Sequence, residues 1–148
     1  MKIREATDND IKYLVEFNAA MAFETEQKQL KTDILTKGVK AVLYSPEKGK
    51  YFIAEIDDQV VGQLLITTEW SDWRNGYFWW IQSVYVKPAS RRKGVFRALY
   101  QYVEKLAEET RGVCGLRLYV EKENHRAQQT YEDLGMRKTH YLLFEKEF

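Results

Sequence analysis

Arg91, Arg92 and Lys93 stand together immediately before Gly94, a spacing suited to holding an anion. Upstream, Trp80 to Val86 is β-branched and aromatic, the composition of a strand. Pro88 ends that strand because proline cannot donate to a ladder. Downstream, Val95, Leu99, Tyr102, Val103 and Leu106 repeat at helical spacing. A strand, a basic glycine turn and a helix start leave backbone N–H groups at the positive end of a helix dipole. The ligand that suits them is a phosphate or pyrophosphate, held by N–H groups of Arg92, Lys93, Gly94, Val95 and Phe96 with Arg91 and Arg92 assisting. A side chain at Gly94 would push that phosphate away. A second cluster has the opposite sign. Glu69, Trp70, Asp72 and Trp73 set carboxylates among tryptophans, with Tyr77, Trp79 and Trp80 close behind. Aromatic faces with carboxylates suit a cationic ligand. The competing interpretation puts these rings in the core or in a homodimer interface.

The rest of the composition narrows the class. The chain has 148 residues, 45% hydrophobic and 30% charged, which fits one globular domain over residues 1–148. Net charge is +1, so bulk charge draws the chain to neither nucleic acid nor an anionic membrane. Three clustered cations also give only a small counterion-release slope. One cysteine excludes an intrachain disulfide, and one cysteine with two histidines leaves few ligands for a metal site. Cys114, in an apolar run, is expected to be a buried structural thiol. His125 and His140 are isolated and read as structural or solvated. No apolar run reaches the about 18 residues that span a bilayer, and residues 1–5 lack the apolar core of a signal peptide. The expectation is a soluble cytoplasmic protein with no metal.

Periodicity supplies the elements that must position these groups. Residues 2–6 read as a strand. Thr7 with Asp10 three residues on reads as a helix start, followed by a stripe of Ile11, Leu14, Val15, Asn18 and Ala22. Glu24 and Glu26 fall near the end of that helix. Residues 30–44 form a second helix, with Gly38 weakening it. Residues 50–56 and 59–68 are strands about a turn at Asp57-Asp58. Residues 69–76 are a loop closed by Asn75-Gly76. Residues 77–86 form a strand apolar on both faces and therefore central. A helix over about 92–110, a strand over 114–120, a helix over 124–134 and a final strand over 136–148 follow. Asn124 caps the last helix and Gly135 stops it. The helix after Arg91 is a crossover, so the strands 77–86 and 114–120 run parallel, whereas tight turns make the middle strands antiparallel.

Two motifs in this order resemble those of the GNAT family of N-acetyltransferases. The first is Arg/Gln-x-x-Gly-x-Gly/Ala; Arg91 to Phe96 matches its first four positions and departs at Phe96. The second is Asn-x-x-Ala-x-x-x-Tyr-x-x-x-Gly-Phe, matched by Asn124, Ala127, Tyr131 and Gly135 with Met136 in place of the phenylalanine. The resemblance implies an α+β acyl-CoA N-acyltransferase fold, a mixed and mostly antiparallel sheet with helices on both faces. It implies acetyl-CoA as cosubstrate. The strands 77–86 and 114–120 would splay, and the pantetheine arm would lie between them against backbone groups of Val84, Tyr85 and Val86. Asn124, Ala127 and Tyr131 would flank the cofactor, and Tyr131 would donate to the departing thiolate.

The chemistry expected is direct attack of a primary amine on the thioester. A lysine-like amine has a pKa of about 10.4, so on the order of one in a thousand is neutral at pH 7. A base or a water chain must remove its proton. Relatives often carry Glu near the place of Gln82, and an amide is no base. Glu24 and Glu26 at the end of the first helix, and Glu69 and Asp72 in the tryptophan-rich loop, are the candidates, ordered Glu24, Glu69, Asp72, with a water relay equally acceptable. By resemblance, Glu24, Glu69, Trp70, Asp72, Trp73 and Gln82 flank the acceptor, which is a cationic small-molecule amine or a peptide amine. A non-catalytic acyl-CoA-binding module of the same fold is the alternative, suggested by Phe96 and Gln82.

Overall fold

In the computed structural model, which describes residues 1–148, Thr7 and Asp10 form the expected capping box. The Thr7 backbone N–H donates to Asp10 Oδ2 at 2.7 Å, and a separate backbone bond from the Asp10 N–H to the Thr7 carbonyl at 2.9 Å closes the turn. That turn joins strand β1 (Lys2–Glu5) to helix α1 (Ile11–Glu26), and α2 (Thr32–Tyr44) follows. Strands β2 (Lys50–Ile56), β3 (Gln59–Ser71) and β4 (Gly76–Val86) form a meander. Helix α3 (Val95–Glu109) crosses over to β5 (Val113–Arg117). The sheet order is β1-β2-β3-β4-β5, antiparallel throughout except for the parallel pair β4 and β5. Met1–Leu118 packs as one unit and Tyr119–Phe148 as another, the second holding helix α4 (His125–Asp133).

Strand alternation divides the core of the first unit. Tyr51, Ile53, Leu65 and Tyr85 pack with Leu14, Phe17 and Val39 of α1 and α2. Phe52, between Tyr51 and Ile53, points to the other face and meets the Tyr102 ring of α3 at 5.7 Å. Helices thus cover both faces. Burying a side chain such as Phe17 or Leu14 stabilises by about 1.5–3 kcal/mol. Gly62 sets the seat of α3: a Cβ there would meet the Tyr85 carbonyl at 3.0 Å and Val95 Cγ1 at 3.1 Å. A side chain at 62 would therefore press on the first residue of α3 and on β4.

Five expectations need correction. The strand predicted over 59–68 continues to Ser71, because Glu69 and Trp70 pair with Phe78 and Tyr77 across the hairpin. The loop shrinks to a 3-10 turn at Asp72–Arg74, with Asn75 left-handed at φ 47. Helix α3 begins at Val95 rather than 92, because Arg92 and Gly94 have φ of 63 and 76, which a right-handed helix excludes. Cys114 is exposed, not buried, since β5 is the last strand in the sheet order. The strand predicted over 136–148 is not formed within Tyr119–Phe148. A strand needs a neighbouring strand to bond with, and that unit taken by itself has none.

A charged cluster anchors β1 to β2 and α1. Arg4 donates to both oxygens of Asp10 at 2.8 and 3.0 Å and to Glu55 Oε1 at 2.6 and 2.9 Å. Asp10 is only 2% exposed. Burial alone would raise its pKa, but hydrogen bonds from Arg4 and the Thr7 N–H outweigh that and hold it below the ordinary value. A carboxyl with a depressed folded pKa stabilises fully above its unfolded value and loses that contribution as pH falls through the folded one. Asp10→Asn should therefore cost about 3 kcal/mol in urea unfolding at pH 7. The gap between variant and parent should narrow steadily below about pH 4. An equal gap at pH 7 and pH 3 would show that the ionised carboxylate is not the source.

Candidate functional site

Strand β4 outruns its partner. It has 11 residues and β5 has 5, and the two pair only from Tyr77 to Trp80, opposite Val113 to Arg117. From Ile81 to Val86, β4 keeps β3 on one side and no strand of the sheet on the other. Such an edge is a template for an extended ligand with amide groups. The register with β3 also slips in this stretch. Leu65 faces Gln82 while Gln63 faces Tyr85, so Ser83 and Val84 together face Leu64. Ser83 takes φ 48 at this bulge, a left-handed conformation that costs a non-glycine residue about 1–3 kcal/mol.

Buried polar groups hold the bulge in place. Gln63 is fully buried and donates Nε2 to the Ser83 carbonyl at 3.1 Å, while its Oε1 has no hydrogen-bond partner. An unsatisfied buried acceptor costs about 1–3 kcal/mol. Asn18 Nδ2 donates to the Leu14 carbonyl at 2.8 Å and to the Tyr51 hydroxyl at 3.2 Å. Burial raises the Tyr51 pKa, against the smaller opposing pull of hydrogen bonds with Asn18 and Ser83. Gln82, next to the bulge, donates to Thr67 Oγ1 at 2.5 Å. Sequence reasoning missed Gln63 and Ser83. The available signal was one amide inside the otherwise apolar run of residues 60–66.

The basic turn continues directly from this strand. The Lys87 N–H still bonds to the Val61 carbonyl at 2.8 Å, which ties the exit of β4 to β3. Left-handed backbone at Arg92 and Gly94 is of the kind that builds anion-binding concavities. The Ala98 N–H is the first to close a turn of α3, onto the Gly94 carbonyl at 2.9 Å. The N–H groups before it lack an intrahelical partner by geometry. A Cβ on Gly94 would meet no atom of the chain within 4 Å. Packing therefore does not demand glycine here; the φ of 76 does. Arg92 and Lys93 are exposed. Phe96 is half-buried, with its ring 6.2 Å from that of Tyr100 one turn along α3.

Arg91 reaches back instead of forward. Its Nε donates to the Val86 carbonyl at 2.9 Å and its Nη2 to Glu24 Oε2 at 2.6 Å. The other Glu24 oxygen accepts from the Tyr85 hydroxyl at 3.1 Å. Burial and then Glu24 raise the Tyr85 pKa. The end of α1 is thereby tied to the end of β4, next to the bulge.

The cluster of tryptophans and carboxylates is not assembled as one pocket. Neighbours on a strand point to opposite faces. Glu69 lies on the face of Phe78 and Arg117; Arg117 bonds it at 2.5 Å and sits 3.6 Å from the Phe78 ring centroid. Trp70 is on the other face, edge-on to Tyr77 at 4.9 Å. Asp72 and Trp73 occupy the hairpin tip, where Asp72 accepts from the Trp73 N–H at 2.9 Å. The tip is seven strand steps from Ser83, or about 23 Å. Of the named carboxylates, Glu24 stands nearest the bulge.

In the second unit, Asn124 and Gly135 act as caps. Asn124 Oδ1 accepts from the Ala127 N–H at 3.1 Å. At the other end, Gly135 at φ 87 donates to the Glu132 carbonyl at 2.9 Å, and the Met136 N–H to the Tyr131 carbonyl at 3.0 Å. This is a Schellman stop. Gln128 adds bonds to the Glu121 and Lys122 carbonyls at 3.2 and 2.9 Å. The motif's spacing is thus the length of one capped helix, with Tyr131 carried on it. Tyr131 is half-buried, and burial raises its pKa. Across the chain, no group of three or more His, Cys, Asp or Glu is placed to hold a metal ion, and no helix is long and apolar enough to cross a membrane.

Comparison with known proteins agrees with this geometry. The model of the Acetyltransferase (GNAT) family matches residues 12–136. The crystal structure of "a possible acetyltransferase" from Clostridium difficile 630 is 49% identical, with a TM-score of 0.92 over 99% of this chain and 97% of that one. A predicted acetyltransferase from Clostridium acetobutylicum, solved with acetyl-CoA, is 20% identical with a TM-score of 0.79 over 98% and 95%. An aminoglycoside acetyltransferase from an uncultured soil metagenomic sample, solved with sisomicin, is 17% identical with a TM-score of 0.78 over 99% and 95%. No protein of curated function matches. The open β4 edge, the glycine turn that follows it and the family match over residues 12–136 together show that the chain belongs to the GNAT family of N-acetyltransferases.

Proposed function

We propose that the chain transfers an acetyl group from acetyl-CoA to a primary amine, of the class of cationic small molecules, by direct attack. The observation that carries this is the continuity of two ligand surfaces: the open β4 edge from Ile81 to Val86 runs straight into the turn at Arg92 to Gly94 and the start of α3. An extended amide-bearing arm that ends in a pyrophosphate fits such a pair of surfaces. Acetyl-CoA is the cosubstrate that GNAT members use. Its pyrophosphate would take backbone N–H groups from Arg92 to Phe96, with the side chains of Arg92 and Lys93 assisting.

The amine nitrogen bonds to the thioester carbon, the C–S bond breaks, and the sulfur takes a proton. No enzyme-bound acyl intermediate is required. The carbonyl oxygen gains charge in the transition state and takes a backbone N–H of β4. Tyr131 is the proposed donor to sulfur. Its raised pKa keeps the phenol protonated at neutral pH. The donation strengthens only as charge develops on sulfur, so it acts on the transition state more than on binding. The amine proton leaves through Glu24 or through water. Glu69 and Asp72 are the more remote candidates, being at the far end of β3 and at the hairpin tip. Gln82, Thr67 and Tyr85 surround the bulge on the Glu24 side and are proposed to line the acceptor site. The alternative reading, a non-catalytic acyl-CoA-binding module, draws on Phe96 at a position where the family pattern has a small residue. Release of thiol from acetyl-CoA in an amine panel separates the two.

Two variants test the parts. Gly94→Glu forces a left-handed conformation on a side chain and adds negative charge beside the pyrophosphate; acetyl-CoA binding in calorimetry should fall at least 100-fold, and unchanged affinity would remove the turn from the site. Tyr131→Phe keeps the ring and loses only the hydroxyl. It should bind acetyl-CoA within a few-fold of the parent and transfer about 100- to 10,000-fold more slowly in a single turnover. The parent rate should also fall as pH rises through the Tyr131 pKa, above about 10, and that limb should be absent from the variant. A Tyr131→Phe protein at full single-turnover rate would leave sulfur protonation to water or to the amine.

A further inference from the structure

Gln63 is the most deeply buried polar side chain of the molecule, with no solvent exposure. It sits among Val60, Val61, Leu64, Leu65 and Ile66, where a leucine would pack without an unsatisfied atom. Its one hydrogen bond is the donation from Nε2 to the Ser83 carbonyl at 3.1 Å, and its Oε1 has no partner. The amide must present its NH2 group there, because the reverse orientation would set oxygen against oxygen.

The target of that bond is the peptide between Ser83 and Val84, the middle of the bulge. No peptide in the chain is cis. In a trans peptide the carbonyl of one residue and the N–H of the next point in opposite directions. Holding the Ser83 carbonyl toward Gln63 therefore aims the Val84 N–H away from Gln63. Ser83 at φ 48 keeps a conformation that a serine leaves unless it is held. Gln63 holds its carbonyl.

We infer that Gln63 is a positioning residue for acetyl transfer: through the Ser83 carbonyl it fixes the Val84 N–H as the donor to the thioester oxygen. This rests on the acetyl-CoA reading above. A buried amide with one satisfied atom and one unsatisfied atom is poor packing, but it is effective at setting the orientation of one peptide. The donor it sets would be preorganised, so it acts without rearrangement when charge develops on the oxygen.

Gln63→Leu keeps the volume and removes the donor; Gln63→Met, also without a donor, serves if leucine disturbs the strand. The direct readout is the infrared stretch of a 13C-labelled acetyl carbonyl in bound acetyl-CoA, without any amine. In the parent it should lie below the free value, as for a hydrogen-bonded carbonyl. In either variant it should move back toward the free value, with acetyl-CoA affinity within a few-fold of the parent. Single-turnover transfer should fall about 100- to 1,000-fold, and the melting temperature should stay level or rise. A lowered carbonyl frequency and a full transfer rate retained in the variants would overturn the role of Gln63 and leave the acetyl-CoA reading intact. A parent that does not bind acetyl-CoA would overturn that reading and this inference with it.

Discussion

A strand that runs past its neighbour leaves backbone donors and acceptors that must find other partners, and β4 does this from Ile81 to Val86. Each such group is costly if it is neither paired nor hydrated. Most sheets avoid the problem by matching strand lengths or by covering the edge. This sheet keeps the edge open and builds around it. The bulge at Ser83 interrupts the ladder on the β3 side of the same stretch. Beyond it, the Lys87 N–H and the Arg91 side chain tie the strand's exit to β3 and to α1. The exit of the open edge is thus held by groups that cannot easily drift.

Stability for this arrangement comes from elsewhere in the first unit. The apolar core on both faces of the sheet supplies it, with contributions of about 1.5–3 kcal/mol per fully buried large side chain. Against that stand a left-handed serine, at about 1–3 kcal/mol, and the unsatisfied Oε1 of Gln63, at a similar cost. These two penalties meet at one hydrogen bond, between Gln63 and Ser83. Departures from local preference of this kind gather where a chain has chemistry to perform. The contrast with the Arg4 cluster is instructive. There, Asp10 and Glu55 together accept four hydrogen bonds from Arg4.

Much of the fold was legible because local signals agree with it. The Thr7 and Asp10 box, the Asn124 cap and the Gly135 stop each appear as hydrogen bonds between the residues whose types announced them. The basic glycine turn was legible for the same reason: strand, turn and helix chemistry fall in one short window. What stayed hidden depends on non-local register. No local pattern says that Gln63 will face Tyr85 while Leu65 faces Gln82, so the bulge was missed. The period of two also separates Glu69 from Trp70, which nearness in sequence had grouped into one pocket. Glu24 and Arg91, 67 positions apart, share an ion pair that only the folded chain can reveal. A strand over 136–148 was expected from the local pattern, and a local pattern cannot supply a partner strand.

The most direct test of the account is a crystal structure of the protein with acetyl-CoA. The pantetheine amides should pair with backbone groups of β4 between Ile81 and Val86. The pyrophosphate oxygens should lie within hydrogen-bond distance of N–H groups between Arg92 and Phe96, with the acetyl oxygen at the Val84 N–H. Acetyl-CoA bound away from β4, with that edge left unpaired by the ligand, would contradict the claim that the open strand and the turn after it are the cofactor site.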